Sequence, residues 1–225
     1  MSSPVPLVHI VRHGQAVHNV DREYPYRDPP LTELGHSTTK EIKIRVVPNL
    51  IIISPMTRTI QTAINAFPTL LSQAPFSVDV QIWPELRETH DAPCNKGLSR
   101  GEIMRKFPDF NFAGCPEEWD HPPHTLESAL ERAEIVRKRL KEFSTKHSSI
   151  AVVTHRCFIS YLVKGARFPN CETRTYRFAQ DDELEKDRLG INCDSDEPQD
   201  FGPTLLVPFL DSNGSGIHVN GTAIF

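Results

Sequence analysis

The sequence predicts an α/β fold, a three-layer sandwich with a mostly parallel central sheet flanked by helices. Leu7 to Val11 is an apolar run of strand length that passes directly into Arg12-His13-Gly14, and a second run, Ile150 to Thr154, also ends in a histidine, His155. Between them, strand-like and helix-like segments alternate, which is the grammar of a parallel sheet covered on both faces. In such sheets ligands bind in the crevice beyond the carboxyl ends of the strands. His13 and His155 are therefore expected to meet there, and the adjacent Arg12 points to an anionic group between them.

A chain of 225 residues supports one substantial core. The expectation is one domain over 1–225, with an insertion at about 84–123 and an acidic loop at about 180–200. Lys and Arg number 25 against 29 Asp and Glu, so no basic excess exists to neutralise a nucleic-acid backbone or an acidic membrane surface. No charged leader or long apolar run is present, which makes cytoplasm, with nucleus as the alternative, the expected location. Five cysteines, Cys94, Cys115, Cys157, Cys171 and Cys193, include no CxxC pair, which argues for reduced packing thiols over disulfides or zinc.

The elements follow in order. Thr32 is positioned to cap a helix containing Leu34, Ile42 and Val46, and Asn49 to Ile53 reads as a buried strand. Ser54-Pro55 supplies an N-cap and a first-turn proline for a helix whose apolar face is Ile60, Ala63, Ile64 and Phe67. Ser77 to Ile82 is the next strand. Pro84 to Pro123 is too rich in Pro, Gly, His and charge for continuous structure, except for a short helix over Arg100 to Phe107. Leu126, Leu130, Ala133, Val136, Leu140 and Phe143 recur at helical spacing ahead of the His155 strand. Phe158 to Val163 reads as helix and Arg174 to Phe178 as strand. Gln180 to Asp200 reads as loop or partly disordered, and Gly216 to Phe225 as a late or edge strand.

A histidine that attacks phosphorus needs a neutral nitrogen, a fixed orientation and cations around the equatorial oxygens. Arg12 and Arg58 fit the cation role, the latter in a first helical turn where free N–H groups already favour an anion. Arginine suits the task because its planar fork grips two phosphate oxygens at once. A leaving alkoxide also needs a proton. Glu88 is the first candidate for that general acid and Glu85 the second; an ordinary glutamate pKa of ~4.3 would have to be raised by burial or by the approaching phosphate. His9 with His13, and His121 with His124, lack carboxylate partners at a recognised metal spacing, so no metal site is expected. Trp119, Tyr24 and Tyr26 are either pocket walls or packing residues.

These residues together resemble the histidine phosphatase superfamily, in the branch that includes phosphoglycerate mutases and fructose-2,6-bisphosphatase. Arg12-His13-Gly14 resembles the signature whose histidine is phosphorylated, and Asn19 falls where that branch has a phosphate-neighbouring Asn. Leu31-Thr32-Glu33-Leu34-Gly35 resembles the following helix start. The segment Ser54 to Thr62 resembles the one bearing the second phosphate Arg, Leu86-Arg87-Glu88 the proton-donor motif, and Val153-Thr154-His155 the segment of the second histidine. The resemblance spans about residues 5 to 165. It implies His13 as phosphate acceptor, Arg12, Arg58 and His155 as phosphoryl ligands, and Glu88 as acid and then base. Gly14, Asn19 and Arg156 are expected beside the substrate, a small phosphate ester, with neither metal nor other cofactor.

Two departures from the family pattern bear on function. Arg156 replaces the usual Gly after the second histidine, and Gln15 stands where mutases commonly have Glu. Gln15 favours a phosphatase or a divergent member, and Arg156 opens a binding or non-phosphate role. A chain shorter than typical mutases, with less lid to exclude water, tilts the reading toward a phosphatase of small organic phosphate monoesters. A phosphoglycerate mutase-type isomerase is the alternative, as is a divergent member with a binding or non-phosphate role. Arg22, Arg27, Lys96, Arg100 and Arg156 are the cations available to a second anionic group.

Overall fold

The computed structural model describes residues 5–44, 46–120 and 125–210. Its strands are β1 (Leu7–Arg12), β2 (Leu50–Ile53), β3 (Asp79–Ile82), β4 (Ser149–Thr154), β5 (Thr173–Phe178), β6 (Leu189–Ile191), β7 (Pro198–Asp200) and β8 (Leu206–Pro208). The helices are α1 (Val17–Val20), α2 (Glu33–Thr39), α3 (Thr57–Ala66), α4 (Pro68–Leu71), α5 (Arg100–Lys106), α6 (Leu126–Phe143), α7 (Arg156–Leu162) and α8 (Asp181–Asp187). The main sheet has six strands in the order β3-β2-β4-β1-β5-β8, and β5 alone runs against the others.

Because side chains alternate across a strand, the central strands divide their apolar residues between two cores. Val8, Ile10, Leu50, Ile52, Ile150 and Val152 face α6 and α7, packing on Ala133, Val136, Leu140 and Phe158. Val11, Ile51, Ile53, Ala151 and Val153 face α3 and α4, packing on Ile60, Ala63, Phe67 and Leu71. The central sheet thus lies between two helical layers, and its strands read as unbroken apolar runs because both faces are covered.

Several elements depart from the expected ones. α2 ends at Thr39, leaving Ile42 and Val46 outside it. Its last turn is poor in helix formers, and the Thr38 and Thr39 hydroxyls take the Leu34 and Gly35 carbonyls. α3 begins at Thr57 with Met56 at the N-cap, so Ser54-Pro55 is not its start. Ser54 instead continues the sheet, its N–H donating to the Val153 carbonyl, while its hydroxyl is bonded to His155. The capping work falls to distant Asp28, whose carboxylate accepts the Thr57 N–H at 2.8 Å and the Thr57 hydroxyl at 2.5 Å.

The acidic stretch from Gln180 to Asp200 is ordered, not loop. Asp181, Asp182 and Glu183 sit in the first turn of α8, where negative charge favours a helix, and Glu183 returns to the Gln180 N–H and pairs with Arg177. β6 and β7 then form an antiparallel hairpin, with Asn192 buried at its turn and Arg188 paired with Asp200 across its base. Within the expected insertion, Trp119 is a packing residue, 3% exposed, with its indole N–H on the Leu98 carbonyl. His121, His124 and the segment Gly216 to Phe225 lie outside the described residues.

A helix, α2, packs against the chain just after β1 so closely that two glycines are needed. A Cβ on Gly14 would stand 2.4 Å from Thr39 Cγ2, and one on Gly35 would stand 2.0 Å from the Gln15 carbonyl oxygen. Helix propensity alone favours Gly35→Ala by about 1 kcal/mol, but the backbone oxygen cannot yield as a flexible side chain would. Gly35→Ala is expected to lower stability by about 1–3 kcal/mol, read as a drop in Tm; a rise in Tm would contradict this contact.

Candidate active site

The carboxyl ends of β2, β4 and β1 lie side by side, and the next residue of each is Ser54, His155 and His13. The ladder sets Arg12 opposite Thr154, and the His13 N–H donates to the Thr154 carbonyl at 3.0 Å. Consequently the His13 and His155 rings face each other with centroids 5.2 Å apart. His13 Nδ1 lies 2.7 Å from the Gly14 carbonyl oxygen. A carbonyl only accepts, so the proton is on Nδ1 and Nε2 carries the lone pair. Burial, then Arg58 and Arg12, hold the His13 pKa well below the usual histidine value, which keeps the ring neutral.

His155 is fully buried and bonded through Nε2 to the Ser54 hydroxyl at 2.9 Å, while its Nδ1 has no partner among the described residues. Its pKa is likewise driven far down by burial and by Arg58. Arg58 is also fully buried, in the first turn of α3. Its guanidinium donates to the Cys94 carbonyl at 3.0 Å and Asn95 Oδ1 at 3.1 Å, both from the insertion, leaving Nε without an acceptor. Arg12 donates to the Phe168 carbonyl at 2.7 Å and also keeps an unmatched Nε. Burial lowers the Arg12 pKa to about 10, so it remains a cation at neutral pH.

Glu88 is 7% exposed and its carboxylate accepts the N–H groups of Thr89, Cys157 and Phe158 at 2.9–3.3 Å, two of them from the start of α7. Arg132 of α6 fixes the backbone leading into Glu88 by donating to the carbonyls of Glu85 and Arg87 at 2.8 Å. Glu85 itself faces outward and pairs with Arg139 at 3.1 Å. The Gly14 N–H donates to Thr62 Oγ1 at 3.0 Å, so that amide is already used within the protein.

Arg156, the first residue of α7, pairs with Asp194 at 3.5 Å. Asp194 comes from the acidic hairpin, and it also lies 3.8 Å from Arg167 and 3.3 Å from His90. Its role was not readable from sequence, because nothing local marks a carboxylate that returns to the rim of a site built nearly forty residues earlier in the chain. His90, Cys157 and Asp194 have ligand atoms within 4.8 Å of one another. Two guanidinium groups already hold the carboxylate, however, and burial pushes the Cys157 thiol pKa up, so the cluster is poorly suited to a cation.

Asn19 was expected beside phosphate, but both ends of its amide have partners in the protein: Oδ1 accepts the Ala16 N–H at 2.9 Å and Nδ2 lies 3.1 Å from His18 Nε2. His18 and Ser54 are the side chains nearest the two histidines that sequence reasoning missed. The His18 ring centroid is 6.0 Å from that of His13. Burial, Arg58 and Arg12 push its pKa down to about 3.

The matching family model, described as the histidine phosphatase superfamily (branch 1), covers residues 8–181. The chain belongs to the histidine phosphatase superfamily. A phosphoglycerate mutase-like protein of Arabidopsis thaliana is 31% identical, covering 93% of this chain and 94% of its own. A Schizosaccharomyces pombe protein named as a phosphatase is 29% identical over 66% of this chain and 73% of its own. Solved histidine phosphatases share the fold. The ecdysone phosphate phosphatase of Bombyx mori, in complex with tungstate, superposes with a TM-score of 0.60 at 16% identity, covering 76% of this chain and 89% of its own. The α-ribazole phosphatase of Shigella flexneri gives 0.53 at 21%, covering 77% of this chain and 91% of its own. The chain is thus phosphatase-like, and among the described residues no helix is long and apolar enough to cross a membrane.

The neutral buried histidines of this member of the histidine phosphatase superfamily make a pH prediction. His13 and His155 are held well below 6.5, and burial lowers His9, bonded to Thr175 and Ser149, to about 4. Unfolded, each would bind a proton below pH 6.5, so the unfolded state takes up more protons and stability falls as pH drops from 6.5 toward 4. Each contributes up to about 1.4 kcal/mol per pH unit. Without phosphate in the buffer, Tm is expected to fall between pH 7 and 5, before carboxylates protonate; a flat or rising Tm would contradict their buried neutral state.

Proposed function

We propose that this chain is a cytoplasmic, metal-independent phosphatase of small organic phosphate monoesters, acting through a phosphohistidine at His13 within one domain. The observation that carries the reading is a mismatch of donors and acceptors. Arg12, Arg58 and His155 each hold a buried ring or guanidinium nitrogen with no partner among the described residues, around a His13 whose Nε2 lone pair is unprotonated. Buried donors without acceptors are costly, and a phosphoryl group would satisfy them together.

In the first step the His13 Nε2 lone pair attacks phosphorus and the ester P–O bond breaks. Glu88, which takes up a proton as the negatively charged ester enters, gives that proton to the leaving oxygen. Arg12, Arg58 and protonated His155 Nδ1 hold the equatorial oxygens; an anion in front of His155 selects the tautomer in which the Ser54 hydroxyl donates to Nε2. In the second step Glu88, now a carboxylate, takes a proton from water, whose oxygen attacks phosphorus while the P–N bond breaks. The positive charge that a metal supplies elsewhere comes here from the two arginines. The five free thiols fit a reducing compartment.

Phosphate release from p-nitrophenyl phosphate is expected for the wild type and is expected to disappear, with the acid-labile phosphoenzyme, in His13→Ala. Transfer to a bisphosphate-primed acceptor without free phosphate would overturn hydrolysis in favour of the isomerase reading. Glu88→Gln is expected to slow alkyl phosphates by roughly 10²–10⁴-fold and p-nitrophenyl phosphate much less, since its leaving group needs no proton. Equal rates on an alkyl phosphate would remove Glu88 from the acid role. EDTA is expected to leave turnover unchanged.

A further inference from the structure

We infer that His18 is a third histidine of the phosphoryl site, donating a hydrogen bond from Nδ1–H to an oxygen of the group carried by His13, with Asn19 as the residue that sets its tautomer. The inference rests on the phosphatase reading above and adds a ligand to it.

The argument is a chain of donors and acceptors. Ala16 N–H can only donate, so the Asn19 atom 2.9 Å from it is the amide oxygen. The other end of that amide is therefore the NH₂ group, which can only donate, and it lies 3.1 Å from His18 Nε2. Nε2 must then be the accepting nitrogen, and in a neutral ring the proton resides on Nδ1. His18 Nδ1 is buried and has no hydrogen-bond partner among the described residues. A backbone amide thus fixes, two side chains away, which nitrogen of His18 is a donor.

That donor stands among like groups. The His18 ring centroid is 6.0 Å from that of His13, with the rings tilted by 46°, so the two rings are neighbours at the same end of the sheet. Burial, and after it Arg58 and Arg12, push the His18 pKa down, so the ring is neutral throughout the physiological range. A neutral donor suits this position: the oxyanion gains a hydrogen bond without a third cation being packed against two buried arginines in the empty site. Buried nitrogens of Arg12, Arg58, His155 and His18 have no hydrogen-bond partner among the described residues, and neither do the Nε atoms of Arg87, Arg132 and Arg156; the first four are the ones gathered around His13.

Asn19 accordingly acts one step behind the substrate. Its amide links the backbone turn after Gly14 to the His18 ring. Loss of this residue would free the ring to adopt the other tautomer, placing a lone pair where the donor is required.

The test combines oxyanion binding with a direct reading of the ring. Orthovanadate inhibition of p-nitrophenyl phosphate turnover is measured for wild type, His18→Phe and His18→Asn, with Tm checked for each. Asparagine places an N–H close to the position of His Nδ1, so it is the rescuing variant. His18→Phe is expected to weaken vanadate binding and lower kcat/KM by roughly 10- to 100-fold, in line with loss of one hydrogen bond to a charged group, and His18→Asn to recover much of both. Long-range ¹H–¹⁵N correlation on the wild type is expected to show the His18 proton on Nδ1. Vanadate binding unchanged in a folded His18→Phe, or a proton on Nε2, overturns the inference while leaving the phosphatase reading intact. A wild type that neither binds vanadate nor releases phosphate overturns both.

Discussion

Arg12 lies opposite Thr154 in the parallel ladder of β1 and β4, and the geometry of the site depends on that register. A shift by one residue would turn the alternating side chains of β1 to the opposite faces of the sheet and carry His13 away from His155. The register is held because both faces of these strands are buried. Val8 and Ile10 fit only the core beneath α6 and α7, and Val11 only that beneath α3. Apolar packing on two sides therefore fixes the distance between two polar groups at one end.

At that end the protein gathers what it elsewhere avoids. Arg58 is fully buried, Arg12 nearly so, and the histidines between them are kept neutral by burial and then by the same two charges. Glu88 and Asp28 are two nearby carboxylates, and each is tied to a helix start: Glu88 to the amides that open α7, Asp28 to the first amide of α3. The negative groups thus organise the backbone around the pocket, leaving the positive groups facing it. An oxyanion bound among these groups would add stability through the folded state alone.

Much of this was legible in the sequence because the signals were local. An apolar run that ends in Arg-His-Gly reads as a strand ending in polar chemistry, and the period of Leu126 to Phe143 reads as one face of a helix. What escaped depended on partners distant in the chain. Ser54 carries every mark of an N-cap, but its hydroxyl is bound to a residue about a hundred positions later. Asp28, in an irregular loop, does the capping instead. The acidity of residues 181–183 looks like that of a disordered tract until the charges are placed in a first helical turn and Glu183 meets Arg177. Asn19 reads from the sequence as a phosphate neighbour by resemblance, and only the direction of its amide shows that it is bonded to the His18 ring, which lies near His13.

The Asp28 cap has a wider consequence. It fastens the base of the loop running from Asp21 to Pro30 to the same helical turn that carries Arg58, and the Asp28 N–H is itself bonded to the Lys96 carbonyl. Beyond that anchor, Tyr26 is open to solvent. The outer part of the loop is thereby mechanically separated from the helix: its residues can be exchanged while Asp28 keeps the turn that carries Arg58 in place.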